Sequence, residues 1–405
     1  MTKLNDYDQF EGLHWETGSL RNFYAYQGVK APHTNQPYSE AMLLGISGGV
    51  VMSYFTFNYQ GYDPYVRIIT RNTFDPLGKI YERLNIDQDI RQTSSAQKGV
   101  TSLVDVLEKG LPAIVLADLF SLPYNALPYD EGNWAMFPIL IYGYDENEDQ
   151  VWIADRARVP LIVSLEELAA ARARVKKTKF RVLTFEPPDE NKLASAVQEG
   201  IQDCIRLFTE PPPKGSKHNF GFLAYQRWVE VLTNPKSRGS WEREFPPGIE
   251  SYSALTSVYN DIMIFGKDGG AERDVYAQFL EEASIIMALP GLKDIAPLFR
   301  TSAVAWNNLT EAVLPGDVPL LKETRDLMLE KHHLFLDQGN ESLPMVRDIN
   351  DRLADIKTLV SDDFPMSDAE VADLRENLRD QVLRIHDIED DAVAELSRVM
   401  NGAPG

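Results

Sequence analysis

The sequence carries one cysteine, Cys204, in 405 residues. A lone thiol excludes an internal disulfide and any metal site built on several thiolates. Basic residues are also scarce: 40 Lys and Arg stand against 61 Asp and Glu, a formal net charge of −21. Charge-driven binding to nucleic acid or an anionic membrane needs a Lys/Arg surplus, so neither partner is expected. No run of 18 or more uncharged apolar residues occurs, and the opening MTKLNDYDQFEGLHW has no apolar stretch of the secretory kind; a cytoplasmic chain is expected. Phosphate-cradling motifs are missing too. Gly45-Ile-Ser-Gly-Gly49 lacks the Gly-Lys-Ser/Thr ending of a P-loop, and neither G-x-G-x-x-G nor G-x-S-x-G is found. The six histidines are scattered, and the adjacent His332 and His333 point to different faces of any helix, so no metal and no other cofactor is expected.

What is present suits a folded chain: 44% hydrophobic and 10% aromatic residues, with length for two or three domains. Up to about Pro187, helix-like and strand-like pieces alternate. Residues 18–26 and 39–52 read as helices, the second with Ser39 as its N-cap. The runs 65–70, 113–119, 137–145, 151–155 and 179–185 are β-branched or aromatic and bounded by turn residues, which predicts strands. Ser164 and Glu167 form a capping box that opens a helix over 164–175. FEPPDENK at 185–192 breaks the pattern with two prolines and reads as a domain boundary.

Beyond that boundary strand signals vanish. The sequence therefore divides into an α+β domain at 1–187, an all-helical domain at 193–318 and a helical extension at 319–405. The extension is acidic, with 20 acids and 10 basic residues in 321–400. A second capping box, Ser367 to Glu370, precedes Val371, Leu374, Leu378, Val382, Ile385, Ile388, Ala392 and Leu396 at three- and four-residue spacing. Such a stripe either packs on its own domain or forms the seam of a homodimer through the C-terminal helices. The segment 211–218, with Lys214, Lys217 and His218, is a local basic patch: an ordinary solvated loop, or a contact for a phosphate or an acidic carrier protein.

One collinear set of pieces points to chemistry. It begins with His14-Trp15-Glu16-Thr17-Gly18-Ser19-Leu20-Arg21-Asn22 and Ser39-Glu40-Ala41-Met42-Leu43-Leu44-Gly45. It continues through Leu122-Pro123-Tyr124, the run from Phe137 to Gly143-Tyr144-Asp145, Val151-Trp-Ile-Ala-Asp155-Arg156 and Ser164 to Arg172. In order and spacing these pieces resemble the N-terminal domain of the butirosin biosynthesis protein H family, acyltransferases with a papain-like fold. The stretch from Gly269-Gly270 through Arg273, Tyr276 and Phe279 to Ala283 resembles the helical domain that follows in that family. The resemblance spans roughly residues 10–315. It implies an α+β, papain-like cysteine-peptidase/acyltransferase domain followed by an all-helical one. It also implies acyl transfer from a carrier-protein or similar thioester to an amine through an acyl-cysteine, with a histidine holding the proton and an Asp or Asn orienting the histidine.

The family cysteine follows the histidine of the first motif, where this chain has Trp15, and the family histidine opens the strand leading to Gly-Tyr-Asp, where this chain has Phe137. Only the third position, Asp155, keeps its chemistry. Tryptophan offers no nucleophile and phenylalanine accepts no proton, so the acyl-cysteine route is closed. Cys204 sits at helical spacing with Ile201 and Phe208 and reads as a core residue.

Two readings remain. In one, the chain is a divergent acyltransferase-family protein of specialised metabolism acting on a small amino-acid-like or carrier-protein thioester substrate. His14, Glu16 and Asp155 would then serve as acid or base, with Trp15, Phe137, Tyr54, Tyr124 and Arg156 holding the substrate. In the other, it is a non-catalytic relative that binds a small molecule or carrier protein or scaffolds a partner enzyme, and Trp15 and Phe137 face each other and fill the old cleft. Structural roles compete for each polar candidate: Glu16 as a helix-cap residue, His14 as a satisfied loop residue, Asp155 as a strand-end acceptor.

Overall fold

The computed structural model describes residues 1–127, 132, 134–211, 216, 218–266 and 268–402. Its strands are β1 (Thr2–Lys3), β2 (Lys30–Ala31), β3 (Gln36–Pro37), β4 (Val50–Phe57), β5 (Tyr65–Arg71), β6 (Gln88–Arg91), β7 (Ala113–Asp118), β8 (Met136–Asp145), β9 (Gln150–Ala154), β10 (Leu161–Val163) and β11 (Val182–Phe185). Its helices are α1 (Trp15–Tyr26), α2 (Glu40–Ile46), α3 (Pro76–Arg83), α4 (Ala96–Glu108), α5 (Leu165–Ala173), α6 (Leu193–Thr209), α7 (Gly221–Thr233), α8 (Trp241–Glu244), α9 (Ile249–Tyr259), α10 (Arg273–Ile286), α11 (Gly291–Val313), α12 (Pro319–Gln338), α13 (Leu343–Asp362) and α14 (Asp368–Asn401). The fold class is mixed α+β with a helical C-terminal region. Among the described residues no helix is long and apolar enough to cross a membrane.

Two compact units are interleaved along the chain. The first comprises Met1–Leu43, Ile80–Lys192 and Lys331–Ile349; the second comprises Leu44–Lys79, Leu193–Glu330 and Asn350–Gly405.

The first unit is built on an antiparallel sheet in the order β10-β9-β8-β7-β11-β6, with β1 added to β8. β8 is buried at every position from Pro138 to Asp145, so both faces of this strand are covered and its sequence is a continuous apolar run rather than an alternating one. Helix α1 packs on β7 and β8, and Ser19 donates its hydroxyl to the Pro138 carbonyl at 3.2 Å. Ser164 caps α5 with the full capping box to Glu167.

The second unit carries the β4–β5 hairpin and the helices from α6 to α11, and α14 packs on α6, α7 and α11. The apolar stripe of α14 is buried from Val371 to Leu396, with one departure from the sequence reading: Ile388 is half-buried and Glu389 takes the fully buried place. The 39–52 segment also differs. Its helix stops at Ile46, Gly48 and Gly49 adopt φ of 112° and 67°, and the chain leaves as strand β4 from Val50. Successive positive φ values cannot continue a right-handed helix, and glycine adopts them without steric cost.

Candidate functional site

Trp15 and Phe137 reach each other because of how α1 meets β8. Trp15 is the first residue of α1 and Phe137 the second residue of β8, and their rings stack with centroids 4.3 Å apart and planes 28° apart. That separation is ring contact, and it leaves no room for a reacting atom between them. Trp15 is 5% exposed.

The β8–β9 register brings the third position alongside. Ala154 pairs with Leu140, so Asp155 and Arg156 leave β9 level with Ile139 and Pro138. The Arg156 guanidinium lies 3.9 Å from the centroid of the Trp15 ring and 4.8 Å from that of Phe335, a cation between two aromatic faces. Its Nη2 donates to Asn125 Oδ1 at 3.1 Å. Asp155 is 5% exposed and accepts from the Arg156 backbone N–H at 2.7 Å and from the Tyr124 hydroxyl at 3.2 Å. Burial first, and then the Asp155 carboxylate, push the Tyr124 phenol well above its ordinary range, so it stays a donor. Tyr124 in turn stacks on Phe335 at 6.3 Å. The structure thus brings together Trp15, Phe137, Asp155, Arg156 and Tyr124 and adds Asn125 and Phe335. Asn125 directly follows a motif residue; Phe335 has no sequence signal, because it lies 179 positions after Arg156 and outside every motif.

The start of α1 has a different organiser from the one sought in the sequence. His14 is the N-cap residue, 2% exposed and extended, and makes no side-chain cap bond. Its ring Nδ1 lies 3.5 Å from Thr17 Oγ1. The capping carboxylate belongs to Glu40, whose oxygens accept from the Leu13 N–H at 2.8 and 3.0 Å and from the Thr17 hydroxyl at 2.8 Å. A negative charge at a helix N-terminus is stabilising there. Glu16 is half-buried in the first turn of the same helix.

Tyr54 belongs to the second unit. There it stacks on Trp228 at 5.6 Å, accepts a bond from Trp241 Nε1 at 2.9 Å, and lines a groove of about 490 Å³ with His218, Arg227 and Arg238. Lys214 and Lys217 of the basic segment lie outside the described residues. Cys204, also in the second unit, is fully buried and donates to the Val50 carbonyl at 3.4 Å; burial pushes its thiol up to about 12, which makes it unreactive near neutral pH.

Chemically, the Trp15 cluster supplies aromatic faces, one guanidinium and one carboxylate already engaged by protein donors. Among the described residues it supplies no nucleophile paired with a base. Comparison with known proteins agrees with the mixed α+β fold. The family model "Butirosin biosynthesis protein H, N-terminal" matches residues 14–156, and the model "Domain of unknown function (DUF4872)" matches residues 164–315. No curated protein matches the chain. Two consecutive family domains, over residues 14–156 and 164–315, make this chain a member of the butirosin biosynthesis protein H-like family.

Proposed function

We propose that this chain is a binding member of a biosynthetic, acyltransferase-like family, one that holds a small amino-acid-like or carrier-protein-linked molecule without transferring an acyl group through cysteine. The observation that carries the reading is the 4.3 Å stack of Trp15 on Phe137, the two residues that the resemblance aligns with the family's nucleophile and base. Two aromatic rings in contact replace both partners of a proton-transfer pair, and neither can take over the other's role. The Asp155 carboxylate supports the same reading, since it is engaged by Tyr124 and by the Arg156 backbone and so braces the segment after β9.

The test pairs the native chain with the double variant W15C/F137H. Incubated with an amino-acyl thioester of N-acetylcysteamine and an amine acceptor, the native chain is expected to leave the thioester decay at its buffer rate. The double variant is expected to gain a thiol that iodoacetamide alkylates near pH 7 and that mass spectrometry finds acylated. Thioester turnover by the native chain would overturn the binding reading. An inert new thiol in a folded double variant would mean that positions 15 and 137 do not correspond to the family pair.

A further inference from the structure

Residues beyond both family matches reach back to the Trp15 cluster. The segment Lys331–Ile349 belongs to the first unit, and its Phe335 covers the outer face of the Arg156 guanidinium and the Tyr124 ring. The following residues tie the segment down by main-chain and edge contacts. The Arg158 N–H donates to the Leu336 carbonyl at 2.7 Å, and Asn340 brackets the exposed Ile162 backbone of β10, accepting from its N–H at 2.9 Å and donating to its carbonyl at 2.8 Å. Arg158 pairs with Asp337 at 2.6 Å, but both side chains are about half exposed, at 49% and 54%, where such a pair adds little. The hydrogen-bonded and ionic anchors around Asn340 are exposed, and although Leu336, Ser342, Val346 and Ile349 of the same segment are buried, the Phe335 ring is only half-buried and seated on a cation and an aromatic face.

We propose that the surface formed by the Arg156 guanidinium and the Tyr124 ring is a binding slot for a flat aromatic group, kept filled in this structure by the chain's own Phe335. The chemistry is read from the occupant. A phenyl ring on a guanidinium plane gains a cation–π contact, and on a tyrosine ring an offset stack; an aryl side chain or aryl acid of a ligand would gain the same two contacts after displacing Phe335. The proposal rests on the binding reading above and names the group that the site would take.

The experiment uses Trp15→Cys as a reporter in the full chain, since the native thiol of Cys204 is buried and silent. With Phe335 in place, labelling of the new thiol by iodoacetamide is expected to be slow. Adding F335A should raise the rate at least tenfold, and millimolar benzyl alcohol should slow it again by occupying the vacated slot. N340A, which releases the β10 anchor without touching the slot, should raise the rate several-fold. It should also speed deuterium uptake of the peptide containing Arg158 relative to that containing Ile153, and the uptake is measurable in an otherwise native chain should the W15C variants not fold. An unchanged labelling rate in W15C/F335A, or an Arg158 peptide in N340A as protected as the central strand, would overturn the idea of a displaceable occupant. Faster labelling that benzyl alcohol does not slow would overturn the aromatic ligand. None of these readings depends on whether the native chain consumes a thioester, so the two proposals fail separately.

Discussion

Asp261 shows what one buried carboxylate does to the pH response of the second unit. It is 2% exposed, accepts from the Ile68 N–H at 2.8 Å and pairs with Arg67 at 2.6 Å, yet Arg67 is itself 45% exposed and only partly offsets the loss of water. Burial wins, and the carboxyl is pushed up from the ordinary carboxylate range to about 7, with Arg67 and the Ile68 amide pulling the other way. In the unfolded chain the group releases its proton near pH 4, well before it does so in the folded one. Below that pH it contributes no dependence; between about 4 and 7 stability falls as pH rises; above 7 the full penalty is in place. D261N is expected to remove this slope, at most about 1.4 kcal/mol per pH unit, so urea unfolding from pH 5 to 8 should show a flatter profile than the parent. A profile parallel to the parent's would show that Asp261 is already ionised at pH 5. Residues of this kind are hard to read in a sequence, where nothing marks one aspartate among 61 acids as buried. Trp15 and Phe137 were legible for the opposite reason, because motif spacing fixed both positions. Phe335 was not, since its role depends on a chain return that local pattern does not encode.

Helix α14 carries a related lesson at the scale of an element. Its Glu389 lies in the buried stripe between Ile385 and Ala392, where a charge reads as an interruption of the pattern. The carboxylate is fully buried and accepts from Arg273 at 2.7 and 3.0 Å, from Ser302 at 2.6 Å, from Tyr225 at 2.7 Å and from Trp306 at 2.9 Å. Burial opposes its charge, but Arg273 and these donors hold it below the usual range. Arg273 places its remaining N–H groups on the Thr70, Ala271 and Val51 carbonyls, so all five of its donors are used. The pair therefore joins α14 to α10 and to both strands of the β4–β5 hairpin. Removing one partner strands the other charge in the core: E389Q is expected to cost about 3–5 kcal/mol, whereas R273M/E389L should recover most of that loss. Denaturant titrations of both variants check this, and a single-variant cost under about 1 kcal/mol would mean that water reaches Arg273. Capping boxes made α5 and α14 legible, and β-branched runs did so for β7, β8 and β9. The α2–β4 break was missed because apolar residues run on through 39–52, although the paired glycines at 48 and 49 were its signal.

For the whole molecule, the interleaving of the units decides what can be removed. The family matches end at residue 315, yet Lys331–Ile349 clusters with the first unit and Asn350–Gly405 with the second. Each unit therefore draws part of its packing from beyond the matched domains. A chain ending at residue 318 would keep Arg273 in the core without Glu389 and would uncover the faces of α6, α7 and α11 that α14 buries, including the surroundings of Tyr225 and Trp306. Apolar surface of that kind costs roughly 25 cal/mol per Å² once returned to water, and the deletion also removes 20 acids against 10 basic residues in 321–400, lowering the net negative charge that keeps such surface apart. Both effects act in the same direction. The truncated chain is expected to be poorly soluble, to bind a hydrophobic dye and to lose a cooperative urea transition, while the full chain with E389Q remains soluble though weakened. A residue 1–318 fragment that unfolds as sharply as the parent would show that the second unit completes its core without α14, and the buried pair would then serve only to fasten the helix rather than to hold the core together.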